Sequence, residues 1–104
     1  MDFAFYRNFI TVAETGNLSA AAKRLGIVQP ALSAQMKAIE RNYGVQLFKM
    51  QRGKRHIELT EAGETFLQQA RQLCNTEDDI SLRMQAFGRR AAGTLRFSVS
   101  HVRT

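Results

Sequence analysis

Gln29-Pro30-Ala31-Leu32-Ser33-Ala34-Gln35-Met36-Lys37-Ala38-Ile39-Glu40-Arg41-Asn42-Tyr43-Gly44 reads as one helix with a marked start and stop. Proline suits the first turn, where its missing N–H has no partner to lose, and glycine suits the left-handed position just past the last turn. About four turns lie between them. At 100° per residue, Leu32, Met36, Ile39 and Tyr43 share one apolar stripe, which faces a core. The opposite side carries Pro30, Ala34, Lys37, Ala38 and Arg41, with Ser33 on its flank and Glu40 nearer the buried side. A face that is short-chained, basic and free of carboxylates can lie close to a polyanion, although an ordinary solvated face has the same composition.

Upstream, Tyr6, Phe9, Ile10 and Ala13 mark one face of a first helix over Phe3 to Glu14, with Asp2 as its cap and Thr15-Gly16-Asn17 as its stop. Ser19 is placed to cap a short second helix, Ala20-Ala21-Ala22-Lys23-Arg24-Leu25, which ends at Gly26. The three alanines let another helix approach closely. Only Gly26-Ile27-Val28-Gln29 separate Leu25 from Pro30, so two helices joined by a short glycine-bearing turn give the sequence form of a helix-turn-helix. In that motif the first helix crosses a nucleic-acid backbone and the second enters the major groove.

Downstream, Val45-Gln46-Leu47-Phe48-Lys49-Met50 and His56-Ile57-Glu58-Leu59 alternate with a period near two on either side of the turn Gln51-Arg52-Gly53-Lys54-Arg55. Lys49, Arg52, Lys54 and Arg55 place four positive charges within seven residues. A cationic hairpin next to a helix-turn-helix is a wing that grips phosphates or reaches a minor groove.

Thr60-Glu61-Ala62-Gly63-Glu64 then puts a capping threonine before acids in a first helical turn. A long helix follows to about Gly88. Phe66, Leu73, Ile80 and Phe87 recur at intervals of seven, with Gly63, Ala70, Glu77 and Met84 three residues before each. That is a three-heptad seam for pairing with a second copy, since a helix of about 28 residues spans about 42 Å, more than a domain of this size can cover. Cys74, beside Leu73, is expected to be a quiet thiol, buried or half-buried. After Gly93, the run Leu95-Arg96-Phe97-Ser98-Val99 alternates as a strand with no sheet to join, the expected opening of a further domain.

Composition agrees with an anionic partner. The 104 residues hold 15 Lys and Arg against nine Asp and Glu, for a formal charge of +6 and a pI near 10.3. Residues 1–60 contain nine bases against four acids, whereas residues 61–90 contain four against five, so the excess belongs to the first part. One cysteine and two isolated histidines, His56 and His101, make neither an internal disulfide nor a metal site. No apolar run nears the roughly 20 residues needed to span a bilayer, and a cytoplasmic setting is expected. No nucleophile has a base at a plausible spacing and no glycine-rich phosphate loop is present, so an enzyme is not expected.

Five blocks in order resemble the N-terminal part of LysR-type transcriptional regulators over nearly the whole chain. They are Phe9-Ile10-Thr11-Val12-Ala13-Glu14-Thr15-Gly16-Asn17-Leu18, Ala20-Ala21-Ala22-Lys23-Arg24-Leu25, Gln29-Pro30-Ala31-Leu32-Ser33, Gly44-Val45-Gln46-Leu47-Phe48 and Leu59-Thr60-Glu61-Ala62-Gly63. The resemblance implies a mainly α chain: a winged helix-turn-helix of three helices plus a two-stranded wing over 1–59, then a linker helix over 60–88 that pairs two subunits. It implies that residues 89–104 are a hinge and the first strand of an effector domain of periplasmic-binding-protein type. Three positions depart from the family pattern: Val28 stands where serine or threonine is usual, Ala34 where a base-reading arginine is frequent, and Met50 where an arginine is frequent, in a wing about two residues longer.

The expected function is therefore a LysR-type, sequence-specific binder of double-stranded DNA that reads an interrupted palindrome as a homodimer. Ser19 would meet phosphate. Gln29, Pro30, Ala31, Ser33 and Lys37 would meet base edges and nearby backbone, Gln29 through two hydrogen bonds to adenine. Arg52, Lys54 and Arg55 would hold the wing on DNA, and Phe66, Ala70, Leu73, Ile80, Met84 and Phe87 would form the dimer seam. No cofactor is expected in this chain, a small-molecule effector is expected only with the further domain, and pairing of dimers into tetramers stays open. The alternatives are a winged helix that binds protein and a coiled-coil adaptor without DNA binding.

Overall fold

The computed structural model describes residues 1–49 and 56–94, with side chains to residue 90. Among them four helices follow one another: α1 (Ala4–Thr15), α2 (Leu18–Leu25), α3 (Gln29–Tyr43) and α4 (Glu61–Thr94). The chain divides into two units, Met1–Cys74 and Asn75–Thr104. The first unit thus runs past the boundary expected at residue 59.

Each of the first three helices stops at a glycine with positive φ, Gly16 at 70°, Gly26 at 71° and Gly44 at 69°, whose N–H returns to a carbonyl of the last turn. Their starts differ. At α1 the Asp2 carboxylate accepts from the Ala4 N–H at 3.4 Å. At α2 the cap is Asn17 and not Ser19: extended backbone at Asn17 lets its side-chain oxygen accept from the Ala20 N–H at 2.8 Å, so the helix begins at Leu18. At α3, Val28 occupies the cap position in extended conformation and supplies no side-chain bond, as its hydrocarbon side chain dictates.

Phe9 and Val12 of α1, Ala21 and Ala22 of α2, Leu32, Met36 and Ile39 of α3, and Leu47 are buried together. Fully burying a Leu or Ile is worth about 1.5–3 kcal/mol, so Leu32 and Ile39, both 0% exposed, bind α3 firmly to the other helices. Tyr43, assigned to the same stripe, is instead 48% exposed. Its ring lies 5.7 Å from that of Phe66, and its hydroxyl meets that of Tyr6 at 2.6 Å. That hydrogen bond, with some burial, raises the Tyr6 pKa above its ordinary value.

Among the described residues the base of the wing consists of the antiparallel bridge Phe48 to Leu59, with the Lys49 N–H donating to the Glu58 carbonyl at 2.8 Å and the Thr60 N–H to the Leu47 carbonyl at 3.0 Å. Beside it, the Glu40 carboxylate accepts from the Leu47 and Phe48 N–H groups at 2.8 and 3.2 Å. Met50 and the turn Gln51 to Arg55 lie outside the described residues, as does the strand expected from Leu95.

Thr60 caps α4: its hydroxyl oxygen accepts from the Gly63 N–H at 3.0 Å while its proton goes to the Gln46 carbonyl at 2.7 Å. The helix continues through Gly88 to Thr94, six residues beyond the expected end. Gly88 lowers helix propensity without stopping the helix, because a glycine terminates one only by turning to positive φ, which among the described residues only Gly16, Gly26 and Gly44 do.

The expected seam is divided. Phe66 meets Phe9 edge-on with centroids 4.7 Å apart and is packed on the core. Ala70 and Cys74 are buried too, and Gly63 backs onto Leu47. Phe66 and Ala70 therefore belong to the interior of the first unit, because the first turns of α4 close the core that α1 and α3 leave open. Leu73, Ile80, Met84 and Phe87 are exposed, as is Leu82.

Candidate nucleic-acid interface

The interface is built on the side of α3 that the core does not use. Val28, Gln29, Pro30, Ala31, Ala34, Lys37 and Arg41 are exposed and Ser33 is half-buried. Beyond Gln29 the exposed side chains of the first turns, Pro30, Ala31 and Ala34, are short, so a bulky partner can approach the helix, and Lys37 and Arg41 follow about one and two turns after Ala34. No carboxylate interrupts this face. Glu40 is the one acid in α3, and its carboxylate is committed to the Leu47 and Phe48 amides while its carbonyl accepts from the Gly44 N–H at 2.8 Å. One side chain thus clears the face of negative charge and ties the wing's first residues to α3.

Lys37 and Arg41 make no ion pair within 4 Å among the described residues, in contrast to their neighbours. Glu14 is shared by Arg24 at 4.0 Å and Arg71 at 3.5 Å, and Lys49 faces Glu58 at 3.8 Å. These exposed pairs are each worth only about 0–1 kcal/mol, but they locally offset the charge of those cations. Unopposed charge among the described residues therefore includes Lys37 and Arg41 on α3, with Lys23 on the preceding α2.

Besides the Tyr6–Tyr43 contact at its C-terminal end, two further hydrogen bonds fix α3 against the helices beside it. Asn8 of α1 donates to the Gln35 side-chain oxygen at 2.7 Å. Ser19 of α2 donates from its hydroxyl to Oε1 of Gln29, also at 2.7 Å. Ser19, released from capping by Asn17, is free to meet Gln29 across the turn. Of the expected interface residues, the structure brings Ser19 and Gln29 together and sets Pro30, Ala31, Ser33 and Lys37 along the same helix. Arg52, Lys54 and Arg55 lie outside the described residues.

Sequence reasoning missed Asn17, Glu40 and Asn8. Asn17 carried a usable signal, since asparagine is at least as good a cap as serine. Glu40 and Asn8 act on partners seven and 27 residues away. No periodicity announces such pairings.

A helix pair of this form, with a short turn, a clear basic second helix and a hairpin base behind it, has close counterparts. The HTH-type transcriptional regulator ClcR of Pseudomonas putida is 46% identical over 96 residues, covering 92% of this chain and 32% of ClcR. TcbR of Pseudomonas sp. strain P51 is 43% identical over 95 residues, covering 91% and 32%. The chain spans about a third of the length of these relatives. Among solved structures, the CbnR DNA-binding domain in complex with DNA matches with a TM-score of 0.77 at 43% identity, over 83% of this chain and 97% of that one. The BenM DNA-binding domain with benA site 1 DNA matches with a TM-score of 0.77 at 32% identity, over 84% and 99%. Residues 4–64, which include the whole α2–turn–α3 unit and the start of α4, match the model for bacterial regulatory helix-turn-helix proteins, so the chain belongs to the lysR family.

Proposed function

We propose that this chain is the DNA-binding part of a LysR-type transcriptional regulator, placing the N-terminal half of α3 in the major groove and acting as a homodimer on an interrupted palindrome. The observation that carries this reading is the exposed α3 face, on which Lys37 and Arg41 have no acidic partner among the described residues. The DNA complexes formed by the CbnR and BenM domains, which share this fold, support it. Two-fold pairing would set the half-sites one helical turn apart or a multiple of it. Gln29, Pro30, Ala31 and Ser33 meet base edges in this reading, Lys37 and Arg41 the adjoining phosphates, and the wing residues Arg52, Lys54 and Arg55 hold the backbone beside them.

No catalytic residue and no cofactor is assigned to the chain. Effector sensing belongs, in the same reading, to a separate domain of the longer regulator. No helix among the described residues is long and apolar enough to cross a membrane, and we assign the protein to the cytoplasm.

The test is selection of bound sites from random duplex DNA, followed by a salt titration on the selected site. With six to ten phosphates neutralised, affinity falls about 10³–10⁵-fold between 50 and 200 mM salt, and Lys37→Ala lowers the slope by about one. A flat salt response, or selection of no preferred sequence, overturns the proposal.

A further inference from the structure

We infer that Val28 is a specificity-determining residue: its side chain meets the C5-methyl group of a pyrimidine in the major groove, which in unmodified DNA is the methyl of thymine. The inference rests on the proposed placement of α3 in that groove and adds a base contact made just ahead of the helix.

Val28 is 68% exposed, more than any other large hydrophobic side chain among the described residues. Its neighbour Ile27 is half-buried and packed on the core, so the extended backbone at Val28, φ −77° and ψ 147°, directs the next side chain outward. The position is the cap of α3. Serine, threonine, asparagine or aspartate there would accept from an N–H of the first turn, whereas valine has no acceptor and makes no cap bond. Folding therefore gains from this residue neither a hydrogen bond nor the burial of its hydrocarbon.

The surroundings of Val28 restrict what it can meet. Pro30, Ala31 and Ala34 are exposed as well, so apart from Gln29 the leading end of α3 is hydrocarbon, and its cations Lys37 and Arg41 come later in the helix. The Val28 carbonyl is taken up by the Ala31 and Leu32 N–H groups, at 3.1 and 3.2 Å, and Pro30 has no N–H. Pressing such an end on phosphate oxygens would strip water from charge without supplying donors in its place. Phosphates are left to Lys37 and Arg41, and the leading end faces the base edges. There the apolar feature is the C5-methyl, which among the unmodified bases only thymine carries.

Such a contact has no donor or acceptor on either side, so its sense does not depend on how an amide or hydroxyl is turned. It reports one thing, whether a methyl group is present. Removing that methyl from water against Val28 contributes about fourfold in affinity, the transfer value of one methylene-sized group. Thymine is thereby preferred over cytosine at one base pair by a residue that makes no hydrogen bond to DNA through its side chain.

The experiment starts from a duplex selected by the 104-residue chain and replaces each thymine in turn by uracil, which keeps every hydrogen-bonding group and lacks only the methyl. Binding is measured at one salt concentration for the unsubstituted chain, Val28→Ala and Val28→Ser, with melting recorded for each. One thymine in each half-site is expected at which uracil weakens the unsubstituted chain about fourfold, and at which the penalty falls to about twofold or less in both variants. Cytosine and 5-methylcytosine at the same position are expected to differ in the same sense, which assigns the effect to the methyl and not to the rest of the thymine edge. Val28→Ser supplies an acceptor for the Ala31 N–H and is expected to melt about 4–8 °C higher while losing methyl sensitivity, so a folding defect is excluded as the cause. If no thymine responds to loss of its methyl, or if the responsive one keeps its full penalty in both Val28 variants, the inference is overturned while DNA binding stands. A chain that selects no preferred sequence overturns the functional proposal instead.

Discussion

A methyl group added at Gly63 would collide with the carbonyl oxygen of Leu47 and press on Cβ of Leu59 at 3.1 Å. The obstacle is main chain, so no side chain can swing aside to admit it. Alanine normally gains about 1 kcal/mol over glycine inside a helix, but overpacking typically costs about 1–3 kcal/mol or more, so the sign at a given glycine depends on its surroundings. Gly63→Ala is expected to lower the melting temperature, with a net loss of about 1 kcal/mol or more. Gly88→Ala, where nothing lies within 4 Å of the new carbon, is expected to raise it, and thermal unfolding of the two variants side by side checks the opposite signs. From the sequence, Gly63 looked like a small member of a heptad seam, because spacing reports which residues share a face and not what that face meets. Ser19 and Asn17 teach the same point. Both suit the cap, and the extended backbone that settled the choice is visible only in three dimensions.

At the scale of elements, α3 was legible to the residue, since Pro30 and Gly44 impose their own backbone angles and Leu32, Met36 and Ile39 must face inward wherever the helix lies. For α4 the bounds and the partner were harder. A 34-residue helix with an apolar stripe can pack on its own domain or on another copy, and it divides the stripe between them: Phe66 and Ala70 go inward, while Leu73, Ile80, Met84 and Phe87 remain exposed. Exposed apolar residues at seven-residue spacing, on a helix whose polar side carries the Asp79–Arg83 pair at 2.7 Å, are the arrangement of an unfilled coiled-coil face. Ile80→Asp combined with Met84→Asp is expected to make the protein monomeric at micromolar concentration, with the melting of the first unit preserved. Sedimentation equilibrium decides the matter, and a dimer that survives both charges moves the pairing surface off this helix. The double change Phe66→Ala and Ala70→Asp, by contrast, is expected to unfold the head, because those residues are part of its interior.

The whole molecule separates two tasks along one chain. Residues up to Cys74 hold the core, the clear α3 face and the excess of positive charge, whereas the exposed apolar stripe lies mainly in Asn75–Thr104, the second unit. A chain ending at Cys74 retains every buried residue of the core and the Glu40, Thr60 and Asn17 hydrogen bonds that shape the interface. It is therefore expected to fold, shown by a cooperative melt and retained helicity, and to bind a single half-site about as well as the longer chain does. On the proposed pairing through α4, what it lacks is the link that makes the second half-site an intramolecular target. That link raises affinity by about 10²–10⁴-fold without any new contact to DNA, provided the spacing allows both copies to engage. Affinity for the full palindrome is expected to fall by that factor, and the salt dependence to fall toward half its slope, since half as many phosphates are met in one event. Titrating both chains against DNA with one and with two half-sites separates the terms. If the shorter chain binds the two-half-site DNA as tightly as the longer one, pairing is not carried by residues 75–104 and the division of labour proposed for α4 is wrong.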